Sequence, residues 1–104
     1  MSFRLPQNLG NQAGSLTGPS PLEREMMGEK AASLGRAGRL VEQRLKALRS
    51  LERHDPGRPA ALRSAADAVQ SYFVQRELCG LVNHDRPTED YRIPPEVLAR
   101  LGAV

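Results

Sequence analysis

The sequence predicts an all-α protein: a long antiparallel helical hairpin with one or two short C-terminal helices and a flexible N-terminal tail. Three observations carry this reading. Apolar residues recur at spacings of three and four from Ser20 to about Arg53. A cluster of two prolines and a glycine, Asp55-Pro56-Gly57-Arg58-Pro59, interrupts the pattern decisively. A second run of the same period follows, and no stretch alternates at the two-residue period of a strand.

Residues 1–19 are rich in Gly, Asn, Gln, Ser and Thr, with only isolated Phe3, Leu5, Leu9 and Leu16. Such a stretch buries too little apolar area to offset its ordering entropy, so it reads as a flexible tail, with Phe3 and Leu5 as a short anchor at most. Residues 20–104 read as a single helical domain.

The first helix opens on a strong start signal. Ser20 stands at the N-cap, Pro21 at the first helical position, and Glu23 at the third, where its carboxylate reaches back to the cap amide. Its seam is Met27, Ala31, Leu34, Gly38, Val41, Leu45 and Leu48, widened later by Ala37, Leu40, Ala47 and Leu51. Acidic residues gather near its start and Arg44, Lys46, Arg49 and Arg53 near its end, as the helix dipole favours.

The second helix is expected from about Ala60 to Cys79. Leu62, Ala65, Ala66, Val69, Tyr72, Phe73 and Cys79 form its apolar face, and Gly80 suits a left-handed C-terminal turn. Val74, Leu78, Leu81 and Val82 make its far end apolar on the opposite side too, so the C-terminal segment is expected to pack there. Thr88-Glu89-Asp90-Tyr91 starts one helical turn. Ile93-Pro94-Pro95-Glu96 then starts a last helix through Val97, Leu98 and Leu101, stopped by Gly102.

Lengths then set a constraint. At ~1.5 Å per residue the first helix spans roughly 50 Å and the second roughly 30 Å. An antiparallel pair places Cys79 near Leu34 and leaves residues 22–32 projecting. That portion carries Leu22, Met26, Met27, Ala31 and Ala32, so either the C-terminal helix or a second copy of the chain must cover it. Gly28, Ala31, Ala32, Gly35 and Gly38 follow one side of the same helix. Each internal glycine costs ~1 kcal/mol against alanine, so close approach of another backbone is one offsetting gain. The competing explanation is that Tyr72 and Phe73 of the same chain fill the hollow at Gly38. The expected self-association surface is therefore Met27, Gly28, Ala31, Ala32, Gly35 and Gly38, and the expected assembly a homodimer.

Reactive constellations are absent from this pattern. Cys79 with His84 and Asp85 has the residue types of a nucleophile, base and orienting acid, but a cysteine at a helix C-terminus meets the negative end of the dipole. A small buried side chain is the better expectation for it. His54-Asp55 and His84-Asp85 lie in turns with no further histidines to complete a metal shell. No metal, cofactor or catalytic residue is expected. Arg76 falls on the apolar face of the second helix and requires a partner, with Glu29, Glu25 or Glu96 in reach; the expectation is a buried ion pair with Glu29, and a ligand contact is the alternative. A catalytic role would require a deep pocket that gathers Arg76, Tyr72 and a carboxylate.

The chain carries 15 cations against 12 anions, and all cations but Lys30 and Lys46 are arginine, whose fork suits phosphate or carboxylate. Arg36, Arg39, Lys46, Arg49 and Arg53 line the polar side of the first helix, interrupted by Glu42. This stripe is the alternative, a nucleic-acid contact, though a solvated helix face explains it as simply and no aromatics interleave for base stacking. A single cysteine favours a reducing compartment, and neither a signal-peptide pattern nor a membrane-spanning run is present. The expected location is the cytoplasm, with no membrane partner.

Three stretches carry a resemblance: Glu29-Lys30-Ala31-Ala32-Ser33-Leu34-Gly35-Arg36, then Phe73-Val74-Gln75-Arg76-Glu77-Leu78-Cys79-Gly80-Leu81, then residues Tyr91 to Gly102. Together they resemble an uncharacterised bacterial family of short, mainly helical proteins classed as a domain of unknown function. The resemblance implies a small helical bacterial protein and brings no activity, cofactor or site residues. The expected role is a non-enzymatic protein-interaction or structural module that self-associates, with an unidentified protein partner or nucleic acid behind it.

Overall fold

The computed structural model describes residues 18–102. The expectation of a flexible tail therefore falls almost wholly outside the described residues. The chain divides into two units between Ala32 and Ser33. Four helices follow in order: α1 (Pro21–Arg49), α2 (Arg58–Leu78), α3 (Asp85–Asp90) and α4 (Pro95–Leu98). No strand occurs among the described residues, and the fold is all-α as the periodicity requires.

The start of α1 is the capping box read from the sequence. The Glu23 amide donates to Ser20 Oγ at 3.1 Å, and the Ser20 amide donates to Glu23 Oε1 at 2.8 Å. From there α1 runs unbroken through Gly28 and Gly35. It ends at Arg49, earlier than the expected Arg53. Ser50 turns its hydroxyl onto the Ala47 carbonyl at 2.7 Å, and the Leu51 amide bonds Leu48 in a tighter turn.

In the second unit, Ser33 Oγ donates to Gln75 Oε1 at 2.9 Å, while Gly38, further along α1, meets Tyr72, earlier along α2. One helix advances as the other retreats, so the hairpin is antiparallel. Val41, Leu45 and Leu48 of α1 face Ala65, Ala66, Ala68, Val69, Tyr72 and Phe73 of α2 in one buried cluster. α2 closes as anticipated: Gly80 adopts φ +86, its amide reaches the Glu77 carbonyl, and the Leu81 amide reaches Arg76 at 2.8 Å.

The C-terminal arm departs from the sequence reading in two ways. Thr88–Tyr91 ends a helix rather than starting one. α3 begins at Asp85 because the Asn83 side chain accepts its amide at 2.8 Å, and Tyr91 becomes the C-cap. The arm also avoids the outer face of α2. Val74, Leu78, Leu81 and Val82 stay exposed, and Cys79 is exposed beside them rather than buried, because α2 ends at Leu78. Instead Ile93 and Val97 enter the main core, with Tyr91, Leu98 and Leu101 packed against it. The core side wins because the alanine-rich face of α2 leaves it thin, and the arm adds large apolar residues to it.

Gly38 shows how tightly the arm fits. A Cβ at this position would stand 2.5 Å from the Tyr91 hydroxyl and 3.6 Å from the Tyr72 ring. The hollow is thus filled from within the chain, by Tyr91 more closely than by Tyr72. A Cβ at Gly28 would meet nothing within 4 Å. Gly38→Ala is expected to lose about 1–3 kcal/mol by overpacking, whereas Gly28→Ala is expected to gain up to about 1 kcal/mol from helix propensity. Chemical denaturation of the two variants checks the contrast.

Candidate functional site

The polar chemistry of the described residues concentrates where the arm meets the hairpin. α3 ends in a second left-handed turn, and here the residue is Arg92, at φ 53, where glycine is the usual choice. The Arg92 amide bonds Glu89 and the Ile93 amide bonds Thr88 at 3.0 Å, while the Ile93 side chain is buried. Arg49, from the last turn of α1, clamps this turn. Its Nη2 donates to the Tyr91 carbonyl at 3.0 Å and to the Arg92 carbonyl at 2.6 Å. Beside it lies an open recess of about 400 Å³, whose lining includes Glu42, Lys46, Arg49, Asp90, Tyr91 and Arg92.

Tyr91 sits between this recess and a second one. Its ring meets Tyr72 edge-on, with centroids 5.6 Å apart. Burial first, then the hydrogen bond to Tyr72 and the nearby Glu42 and Asp90 charges, push its phenol up to about 12. The second recess gathers Arg76 and Tyr72 with Glu42 and Asp90, the grouping a catalytic reading would require. It is open rather than deep, and its arginine is engaged elsewhere.

Arg76 is half-buried, and its partners come from the turn after α2. Nη2 donates to the Asn83 carbonyl at 2.8 Å, and Nε donates to His84 Nδ1 at 3.2 Å. The expected buried pair with Glu29 is replaced by these contacts, and Glu29 is exposed. Because Nδ1 accepts, the ring hydrogen of neutral His84 resides on Nε2, which donates to Glu77 Oε2 at 2.8 Å. The imidazole stacks on Phe73 with centroids 4.1 Å apart. Its place in a turn gave no sequence signal for this role.

At the other end of the second unit, Arg58 grips Glu96 with two hydrogen bonds, 3.0 and 2.6 Å, tying α4 to the start of α2. That hydrogen bonding, ahead of charge attraction, holds the Glu96 carboxyl below its usual range. The sequence had offered Glu96 to Arg76 instead. Among the described residues no group of three or more His, Cys, Asp or Glu could hold a metal ion. None of their helices is long and apolar enough to cross a membrane.

The remaining sequence-predicted residues fall into two groups. Met27, Gly28, Ala31, Ala32 and Gly35 are exposed, and Gly38 alone of that set is buried. Arg36, Arg39, Lys46, Arg49 and Arg53 are all exposed, with Arg49 engaged as the clamp and Arg53 beyond the end of α1 rather than on its polar side. These features define a small all-α protein built on a helical hairpin with a clamped C-terminal arm. The chain belongs to the family described as Family of unknown function (DUF6665), which it matches over residues 1–104. No curated protein and no solved structure matches it.

Two outcomes follow from the clamp. Arg92→Gly, which relieves the left-handed strain, is expected to raise stability by about 1 kcal/mol, or roughly 4–8 °C in thermal midpoint. Tyr91 has a folded-state value above its ordinary 10.0. Its contribution is complete below that pH and is lost as pH rises towards about 12. Denaturation midpoints measured across this range should fall for the parent chain and fall less for Tyr91→Phe.

Proposed function

We propose that this protein is a non-enzymatic helical interaction module of the bacterial cytoplasm that works as a homodimer. One observation carries the reading: apolar side chains of α1 stand in water. Leu22 is 64 % exposed, Met26 48 % and Met27 58 %. Met27 and Ala31 continue the same helical stripe whose later members, Val41, Leu45 and Leu48, are fully covered. Adjacent exposed apolar groups of this kind mark contact sites.

The small residues support close approach of a second helix. A Cβ at Gly28 would meet nothing within 4 Å, and one at Gly35 only an Arg39 guanidinium nitrogen at 3.5 Å. A second copy is the favoured cover because closed dimers are the commonest assemblies. An exposed free thiol at Cys79 suits a reducing compartment.

A second reading, contact of the α1 stripe with nucleic acid, has one observation in its favour. Arg36, Arg39 and Lys46 of α1, and Arg53 beyond its end, form no ion pair among the described residues.

Light scattering coupled to gel filtration should return twice the chain mass at high micromolar concentration. Met27→Glu should shift the protein to monomer with its helix content intact. A parent chain that stays monomeric removes the dimer reading.

A further inference from the structure

We propose that the turn after α3 is a phosphate contact: Arg92, with Lys46 and the open edge of Arg49, meets backbone phosphates of a duplex nucleic acid. The duplex then continues along α1 past Arg39. The inference rests on the nucleic-acid reading and deepens it by naming the residues and the kind of nucleic acid.

The identity of residue 92 is the first argument. Its backbone holds φ 53 at a position where glycine is free of strain and arginine is not. Strain kept at an exposed residue points to a task for the side chain, since the turn itself would form more readily without it. The backbone demands only that the two carbonyls flanking the turn be held, and Arg49 does this from α1.

The charges around it are the second. Lys46, Arg49 and Arg92 line one open recess, and none of them forms an ion pair among the described residues. Glu42 stands at the i, i+4 spacing from Lys46 yet makes no bridge to it. Asp90 pairs with Arg86 at 3.8 Å. Nη2 of Arg49 is fixed by its two carbonyls, which holds the guanidinium in place while its other N–H groups have no protein acceptor among the described residues. A preorganised arginine beside two further cations is an anion contact with little ordering left to do.

The path along α1 selects the partner. Arg39 and Lys46 stand seven residues apart on α1, so they share one side of the helix over roughly 10 Å. No large apolar residue interrupts that side, as a membrane-surface helix would need. The aromatic beside the recess, Tyr91, has its hydroxyl packed at Gly38, so no ring is offered to splayed bases. Backbone phosphates of a duplex fit these features, read without base contact.

The test is fluorescence anisotropy of a labelled mixed-sequence duplex over a salt titration, with the full chain, Arg92→Gly, and Arg63→Gln as a charge-matched control on α2. The parent chain should bind at low salt. Arg92→Gly should bind several-fold more weakly, with a salt slope shallower by about one, while melting no lower than the parent. Arg63→Gln should bind like the parent. Binding by the parent with Arg92→Gly unchanged, or with an equal loss in Arg63→Gln, overturns the contact at the turn and leaves the broader nucleic-acid reading standing. No binding by the parent at low salt overturns both. Preference for phosphatidylserine vesicles over the duplex also overturns the proposal.

Discussion

The missing side chain of Gly38 and the phenol of Tyr91 compete for one volume, and most of the second unit depends on the phenol occupying it. Val41, Leu45 and Leu48 of α1 meet a face of α2 rich in alanine, and the two helices leave little depth between them. The C-terminal arm supplies what they lack, and it reaches the core only because α1 has no Cβ where the Tyr91 hydroxyl lies. From that point the geometry propagates. Tyr91 meets Tyr72 edge-on, its carbonyl is taken by Arg49, and Ile93 and Val97 follow it inward. The glycine's cost in helix propensity is offset by packing that alanine would forbid.

Charge in this protein serves attachment more than stability. The Arg58–Glu96 and Arg76–His84 contacts both bind the arm, one at each end of α2. Arg49 adds a third, using peptide carbonyls as acceptors rather than a carboxylate. Three arginines on the hairpin thus hold a segment whose own helices are six and four residues long. Pairs as exposed as Arg58–Glu96 contribute little energy individually, but each fixes register where apolar packing alone is permissive. The other cations of α1 enter no such pair among the described residues, which is what separates them as candidates for an external partner.

Much of the architecture was legible in the residues. The Ser20–Glu23 capping box, the seam through Val41, Leu45 and Leu48, and the Gly80 stop all act over a few residues, and local patterns encode such features directly. The face of α2 was legible for the same reason, apart from Cys79 beyond its end. The arm was not. Whether Val74 and Leu78 or Ala65 and Val69 receive it depends on depth left between two helices, and periodicity carries no measure of depth. The candidate site shared this opacity. Arg49 and Arg92 lie far apart in sequence, and nothing local marks an arginine as a carbonyl clamp or a left-handed residue. Arg76 was singled out for a partner on another helix, but its acceptors come from the adjoining turn, where Asn83 and His84 look like ordinary loop residues. Gly38 was flagged as a hollow, with Tyr72 named and Tyr91 overlooked.

The shortness of α3 and α4 has a dynamic consequence. Helices of this length do not persist in water on their own, since the cost of nucleating a first turn is never recovered by propagation. Segments 85–90 and 95–98 are therefore helical only while docked, and withdrawing Tyr91 from α1 would melt them together. The arm is therefore expected to open as one cooperative unit. Amide hydrogen exchange in the arm would then proceed at nearly one common rate, set by undocking, while the amides of α1 and α2 near Leu45 and Val69 exchange more slowly.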